Sequence, residues 1–434
     1  MAKLAFSAVL LIASPMLVAN HPVSPDTGFD VAEYTVALTP DAASGAVSGR
    51  ETIRLTPVRA LDALRFSGNA LAISDATLNG APVLVEASGE GVVFRPAVPL
   101  AKGAKVVLRF TYAGQPRGGI VVVPGGIYTS YSACEWMVCL QDSPGDKARF
   151  SLALTVPKGA VAAGPGRRTG ESGLSDGRSV VRWTTQHDWS PYLYGFAVGD
   201  FAEAGEGSLR YLNASGAPAE LDAMFAETPD MVAFLSDKAG VALPVQRFTQ
   251  VLVPGYEAQE AAGMSLIGRK ALERDLAEPE TEWILIHELS HQFWGNLVTC
   301  DSWRSFWLNE GFATFMTAAW KEHRYGRAAY DAELDVARSR LAKARENGFD
   351  KPLEWDGDYP SIGVRRAVQY GKGALFLDHM RQVLGDDAFW AGVKRYTRAH
   401  AGGTVTTADL KAAMEAASGR DLSGDFARWV SGDQ

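Results

Sequence analysis

The residues whose types and spacing could do chemistry are His287-Glu288-Leu289-Ser290-His291, followed by Trp307-Leu308-Asn309-Glu310. Residues four apart share one face of a helix, so His287 and His291 can present imidazole nitrogens to one metal ion. Glu288 is rotated about 100° from His287 and projects beside that ion, where it can act on a metal-activated water. A catalytic zinc takes three protein ligands and keeps one position open. Two histidines therefore require a third ligand, and Glu310 is the candidate. A carboxylate in that place leaves zinc more electrophilic than a thiolate would, and the pKa of its water falls to about 7. The pattern reads as a zinc hydrolase with Glu288 as general base.

Two helices must position these groups. The apolar periodicity predicts one over Thr281–Gly295, with Thr281 as N-cap and Gly295 as stop, and a second over Ser305–Tyr325. Trp294, Trp303 and Trp307 read as core packing around them. Further helices are expected over Ala217–Ala239, Arg327–Glu346, Val364–Leu384, Asp387–Ala399 and Thr407–Ala417. Phe248–Val253 and Met264–Ile267 read as strands of a small sheet beside the metal helix. The first half of the chain differs. Val31–Leu38, Glu51–Leu55, Val92–Arg95, Val106–Tyr112 and Phe150–Val156 alternate like strands, with Gly- and Asn-rich turns between them. Gly164–Arg178 reads as a loop or long hairpin. The fold class is multidomain α+β: an N-terminal antiparallel β saddle or sandwich over residues 20–205, then a mainly α domain with a small sheet over 206–434.

Length and composition bound the answer. The 434 residues call for more than one core. Fifty acidic against 42 basic residues give a net charge of −8, and no basic-aromatic patch points to nucleic acid. Lys3, the apolar run from Leu4 to Ala13 and the small residues up to Ala19 have the layout of a secretory signal over residues 1–19. That predicts export, periplasmic or secreted, with an uncleaved N-terminal anchor as the alternative. No other run approaches membrane-spanning length. The three cysteines make no disulfide framework. Cys134 and Cys139 are close enough to pair, and three free buried thiols are an equal reading.

These residues resemble the aminopeptidase N-like (alanyl aminopeptidase) family of zinc metallopeptidases. The resemblance runs through His287–Thr299 and Trp307–Ala313, with the eighteen residues 292–309 between His291 and Glu310 matching the family's spacing. Tyr370-Gly371-Lys372-Gly373 is similar to its Tyr-x-Lys-Gly helix. Gly126–Ser130 and Ser132–Glu135 resemble its β-domain substrate segment, and Cys139–Phe150 the stretch after it. The likeness ends near Trp429, and the large C-terminal helical domain of many members has no counterpart. One stretch departs: where the family has Gly-x-Met-Glu-Asn, this chain has Glu257-Ala258-Gln259-Glu260-Ala261.

The resemblance implies a thermolysin-like catalytic domain and one zinc ion on His287, His291 and Glu310. It implies Glu288 as base, Tyr370 as donor to the developing oxyanion, and Glu260 and Glu135 as binders of the substrate's terminal amine. Peptides are the implied substrates and an N-terminal residue the implied product. The altered stretch keeps a zinc endopeptidase of unusual specificity as a second reading, and a non-catalytic peptide-binding relative is a third. The sequence assigns no nucleic-acid partner, no membrane span after signal removal and no oligomeric state.

Overall fold

A computed structural model describes residues 26–432. The expected signal over residues 1–19 lies outside the described residues. The N-terminal half is built from sheets. Eight strands run in the order Arg167–Gly173, Arg178–Thr184, Arg149–Pro157, Phe29–Pro40, Val47–Pro57, Val106–Gly114, Ala72–Leu78, Ala81–Pro82. Neighbours pair antiparallel except Phe29–Pro40 with Arg149–Pro157, which are parallel. Alternation explains the sheet: Phe29, Val31, Tyr34, Val36 and Leu38 are buried while most residues between them face out. Gly164–Arg178, expected as a loop or long hairpin, is the hairpin arm of this sheet. Smaller three- and four-stranded sheets complete the layer.

The second half is mainly helical around a mixed sheet ordered Ala202–Ala204, Leu209–Asn213, Phe248–Val253, Met264–Gly268, Ala258–Ala261. This sheet crosses the expected 205/206 boundary, because Ala202–Ala204 hairpins onto Leu209–Asn213. The predicted Ala217–Ala239 helix is two, Leu221–Met224 and Thr228–Ala239, with Pro229 opening the second. Proline is tolerated in a first turn and nowhere deeper. Arg269–Ala277 is a further helix, and among the described residues no helix is long and apolar enough to cross a membrane.

The halves share one continuous apolar core and are tied at a polar seam. Lys147 Nζ donates to the carbonyls of Asn296, Leu297 and Gly403, each at 3.0 Å. Beside it, Asp146 accepts from Val31 N–H at 3.1 Å, and burial pushes its carboxyl up to about 7. Cys134 and Cys139 form a disulfide, and Cys300 is a buried free thiol.

Candidate metal centre

The metal helix is shorter than its periodicity predicts, Ile284–Ser290, and every residue in it is buried. Thr281 does not cap it, because residues 279–281 form a separate 3-10 turn. Asp275 takes over: its Oδ2 accepts from Trp283 and Ile284 N–H at 2.9 and 3.0 Å. At the other end the chain widens into i→i+5 bonds, Asn296 to His291, Leu297 to Gln292 and Val298 to Phe293. Gly295, at φ +132°, makes this exit. A Cβ there would lie 3.0 Å from His291 Nδ1.

Nε2 of His287, Nε2 of His291 and Oε2 of Glu310 lie 3.3, 3.3 and 3.4 Å apart. Tetrahedral zinc with bonds of about 2.0–2.1 Å sets its donors about 3.3–3.4 Å from one another, so the triangle fits that ion. Two further observations agree. His291 Nδ1 sits 3.0 Å from the carbonyl of Trp294; a proton held there leaves Nε2 as a bare lone pair. Oε2 of Glu310 is buried with no hydrogen-bond donor among the described residues. A buried, unsatisfied carboxylate oxygen facing two imidazole nitrogens is a ligand set for a cation.

Glu260, Glu288 and His291 form a second cluster, their ligating atoms within 4.8 Å of one another. Three carboxylates thus crowd one place. Burial drives Glu288 well above the ordinary carboxylate range; His291 opposes this, and Glu260 and Glu310 add to it. Burial likewise pushes Glu260 up to about 7, against His291 and with Glu310. Burial pulls His291 down, yet Glu260, Glu310 and Glu288 outweigh it and raise the imidazole to about 10. Oε2 of Glu288 is buried and unpartnered among the described residues, so it is free to take a proton. A divalent cation would relieve the mutual repulsion of these carboxylates.

Glu310 and Tyr370 come from two helices in close contact. Glu310 lies in the first turn of Trp307–Tyr325. Tyr370 lies in a π-helical segment, Arg366–Lys372, between Ile362–Arg365 and Gly373–Leu384. The helices meet at Gly311 and Gly373, where a Cβ on either would stand 2.9 Å from the other's Cα. This contact brings the Tyr370 ring parallel to that of His287, centroids 6.1 Å apart. Burial raises the phenol well above its ordinary pKa, with Glu310 next, so it stays a proton donor.

Residues 224–429 match the peptidase family M1 domain. In sequence the chain is 23% identical to aminopeptidase 2 of Candida albicans, covering 90% of this chain and 46% of that protein. It is 29% identical to aminopeptidase N of Streptomyces lividans over 49% of this chain and 26% of that protein. In structure it is similar to an M1 zinc metallopeptidase from Deinococcus radiodurans, solved as a variant bound to a Tyr-Ser-Ala substrate. The TM-score is 0.78 and the identity 26%, with 94% of this chain and 95% of that one covered.

Residues 224–429 belong to the peptidase M1 family. The fold of the chain is that of a two-domain M1 zinc metallopeptidase, and His287, His291 and Glu310 are its single zinc site. This M1 chain spans less than half the length of the curated relatives just named.

Around the M1 zinc site, sequence reasoning missed one residue. Glu135, expected to bind the amine with Glu260, has its carboxylate on Arg117. It ends the 3-10 turn Ala133–Glu135 beside the disulfide and turns to Arg117, whose Nη2 lies 2.9 Å from Oε1 and whose backbone N–H reaches Oε2 at 3.3 Å. Tyr131, which the sequence did not offer, holds the strand that carries Glu260. Its charge environment includes Glu257, Glu288 and Glu260. Its hydroxyl donates to the carbonyl of Ala258 at 2.6 Å, and its N–H to Gln259 Oε1 at 2.7 Å. Tyr131 adopts φ +53°, a left-handed conformation rare for a tyrosine, and strain of this kind collects at functional sites. Periodicity carries no signal for it. Glu257, in place of the family's glycine, faces the β domain and accepts from Tyr128 OH at 2.9 Å and from Ser130 Oγ.

Proposed function

We propose that this M1 chain is a zinc aminopeptidase that removes N-terminal residues from peptides. The observation that carries the reading is the half-buried Glu260 on the edge strand Ala258–Ala261, within ligand distance of Glu288 and His291. Gln292 and Asn296, just past the metal helix, donate to the carbonyl of Ala261 at 3.0 and 2.9 Å and fix that strand against the zinc site. A carboxylate so placed takes an ammonium in a charge-assisted hydrogen bond and sets the first peptide bond over the metal.

When bound, zinc supplies a Lewis acid and an acidified water. Glu288 Oε2 accepts the proton of the attacking water and delivers it to the departing amine as the C–N bond breaks. The Tyr370 hydroxyl donates to the carbonyl oxygen as it gains negative charge. Tyr131 braces the strand beside Glu260 with its hydroxyl on the Ala258 carbonyl, and Glu257 is engaged by the β domain, which leaves Glu260 as the carboxylate of this stretch that can take the ammonium. This supports an exopeptidase over the endopeptidase reading.

Free and N-acetylated peptides, with products identified by mass, test the proposal. Loss of single residues from free peptides alone is expected; internal cleavage of blocked peptides would overturn it. We also propose export, periplasmic or secreted. The Cys134–Cys139 bridge supports this, since disulfides persist in oxidising compartments. Labelling of the two cysteines only after reduction, in protein taken from the native compartment, is the expected result.

A further inference from the structure

The Tyr370 helix carries two cations that the mechanism does not use. Arg365 and Arg366 are half-buried where the α turn passes into the π-helical segment. In π-helical winding residues four and five apart lie above one another, so both arginines share the Tyr370 face. The Arg365 guanidinium sits 4.8 Å from the centre of the Phe306 ring, and that ring stands edge-on to Tyr370 at 6.5 Å. The charge of Arg366 acts on Tyr370, His287 and Glu288, and on Tyr131 of the β domain. It also repels Arg340.

Among the described residues neither arginine has a hydrogen-bonded or ion-paired carboxylate. Arg381, farther along the same helical run, is held by Asp386 at 2.7 Å and by Glu322 at 2.5 Å. The chain has 50 acidic residues to draw on, so an unneutralised pair beside the zinc site stands out. Guanidinium groups recognise carboxylates through paired N–H donors, and a half-desolvated one gains from a partner.

We propose that Arg365 and Arg366 form a carboxylate subsite, which makes the enzyme selective for peptides bearing a negative group close to the scissile bond. The inference rests on the aminopeptidase reading, in which Glu260 takes the ammonium, so the cleft is dipolar. The carboxylate has two sources: the side chain of an N-terminal Asp or Glu, or the C-terminus of a di- or tripeptide.

The zinc-loaded full chain tests this in two arms. One compares Glu with Gln and Asp with Asn aminoacyl anilides; the other compares trialanine with trialanine amide. At least one arm is expected to favour the carboxylate by about tenfold in kcat/KM, and which arm does so names the source. That ratio should collapse toward one in Arg365→Gln/Arg366→Gln and be partly kept in Arg366→Lys. Equal rates in both wild-type arms, or an unchanged ratio in the double variant, would overturn the subsite; the wild-type arms need no variant to fold. Cleavage of alanine anilide without carboxylate preference sinks the subsite alone. Inertness toward every anilide, with cleavage of acetylated peptides, sinks the aminopeptidase reading.

Discussion

The metal helix and the edge strand facing it are positioned in opposite ways. His287, Glu288 and His291 lie within one short buried helix, so local winding alone sets their relation. Glu260 lies on a four-residue strand held from outside. Gln292 and Asn296 grip it at Ala261, Tyr131 at Ala258 and Gln259, and Tyr128 and Ser130 at the adjoining Glu257. The difference separates two properties. The base and two of the three zinc ligands are built into one element, whereas in the proposed aminopeptidase the choice of peptide end depends on contacts between the two halves of the chain.

The comparison breaks most sharply at the helix. Glu288→Gln should retain zinc by metal analysis while turnover falls by about a thousandfold or more; wild-type hydrolysis would remove Glu288 from the mechanism. Tyr370→Phe should lower kcat by about a hundredfold with KM little changed, because its bond forms mainly in the transition state. Changes on the strand should be smaller and different in kind. Glu260→Gln is expected to cost about tenfold in kcat/KM on free peptides and to narrow the gap between free and acetylated substrates. If that gap is unaltered, the amine is read elsewhere. Tyr131→Phe deletes one hydroxyl and should cost about 1 kcal/mol of stability, with a modest fall in kcat/KM and more tolerance of blocked ends.

The seam between the halves gives a pH test with little effect on turnover. The Asp146 carboxyl titrates near 7 in the fold against 3.8 for the free group. The folded chain therefore binds the extra proton between those values, and stability is lost as pH rises through that window. Asp146→Asn keeps the acceptor for Val31 and removes the titration. The melting temperature of wild type relative to the variant should fall by a few degrees from pH 4 to pH 8. A constant difference would mean that Asp146 is ionised throughout.

The same contrast explains what was legible beforehand. The ligand pattern was readable because i, i+4 spacing is a property of any helix, and Arg327–Glu346 was placed to the residue because its periodicity is unbroken. The strand Ala258–Ala261 was not anticipated: Ala-Gln-Glu-Ala has no β-branched residue, and its conformation is imposed by pairing with Met264–Gly268. Thr281 was misjudged as a cap because Asp275, on a different helix, outcompetes it. Glu135 was carried over from a sequence segment that resembles the family's, but its neighbour Cys134 is bridged to Cys139 and Arg117 satisfies its carboxylate. Gly311 and Gly373 stood in plain view inside the matched motifs, yet only the helix contact gives their reason.

The π-helical winding of Arg366–Lys372 makes chain length itself a functional parameter. Each turn there holds an extra residue, so deleting one, at Ala367 for example, lets the run relax to ordinary α winding. Six residues of α winding turn the chain about as far as seven of π winding, so the groups upstream nearly keep their direction relative to Gly373. Arg365 and Arg366 would stay on the Tyr370 face after that first deletion, whereas losing one residue more would swing them away by about 100°. The segment thus carries one residue of slack, beyond which the phase of the helix ties Arg365 and Arg366 to a count of residues.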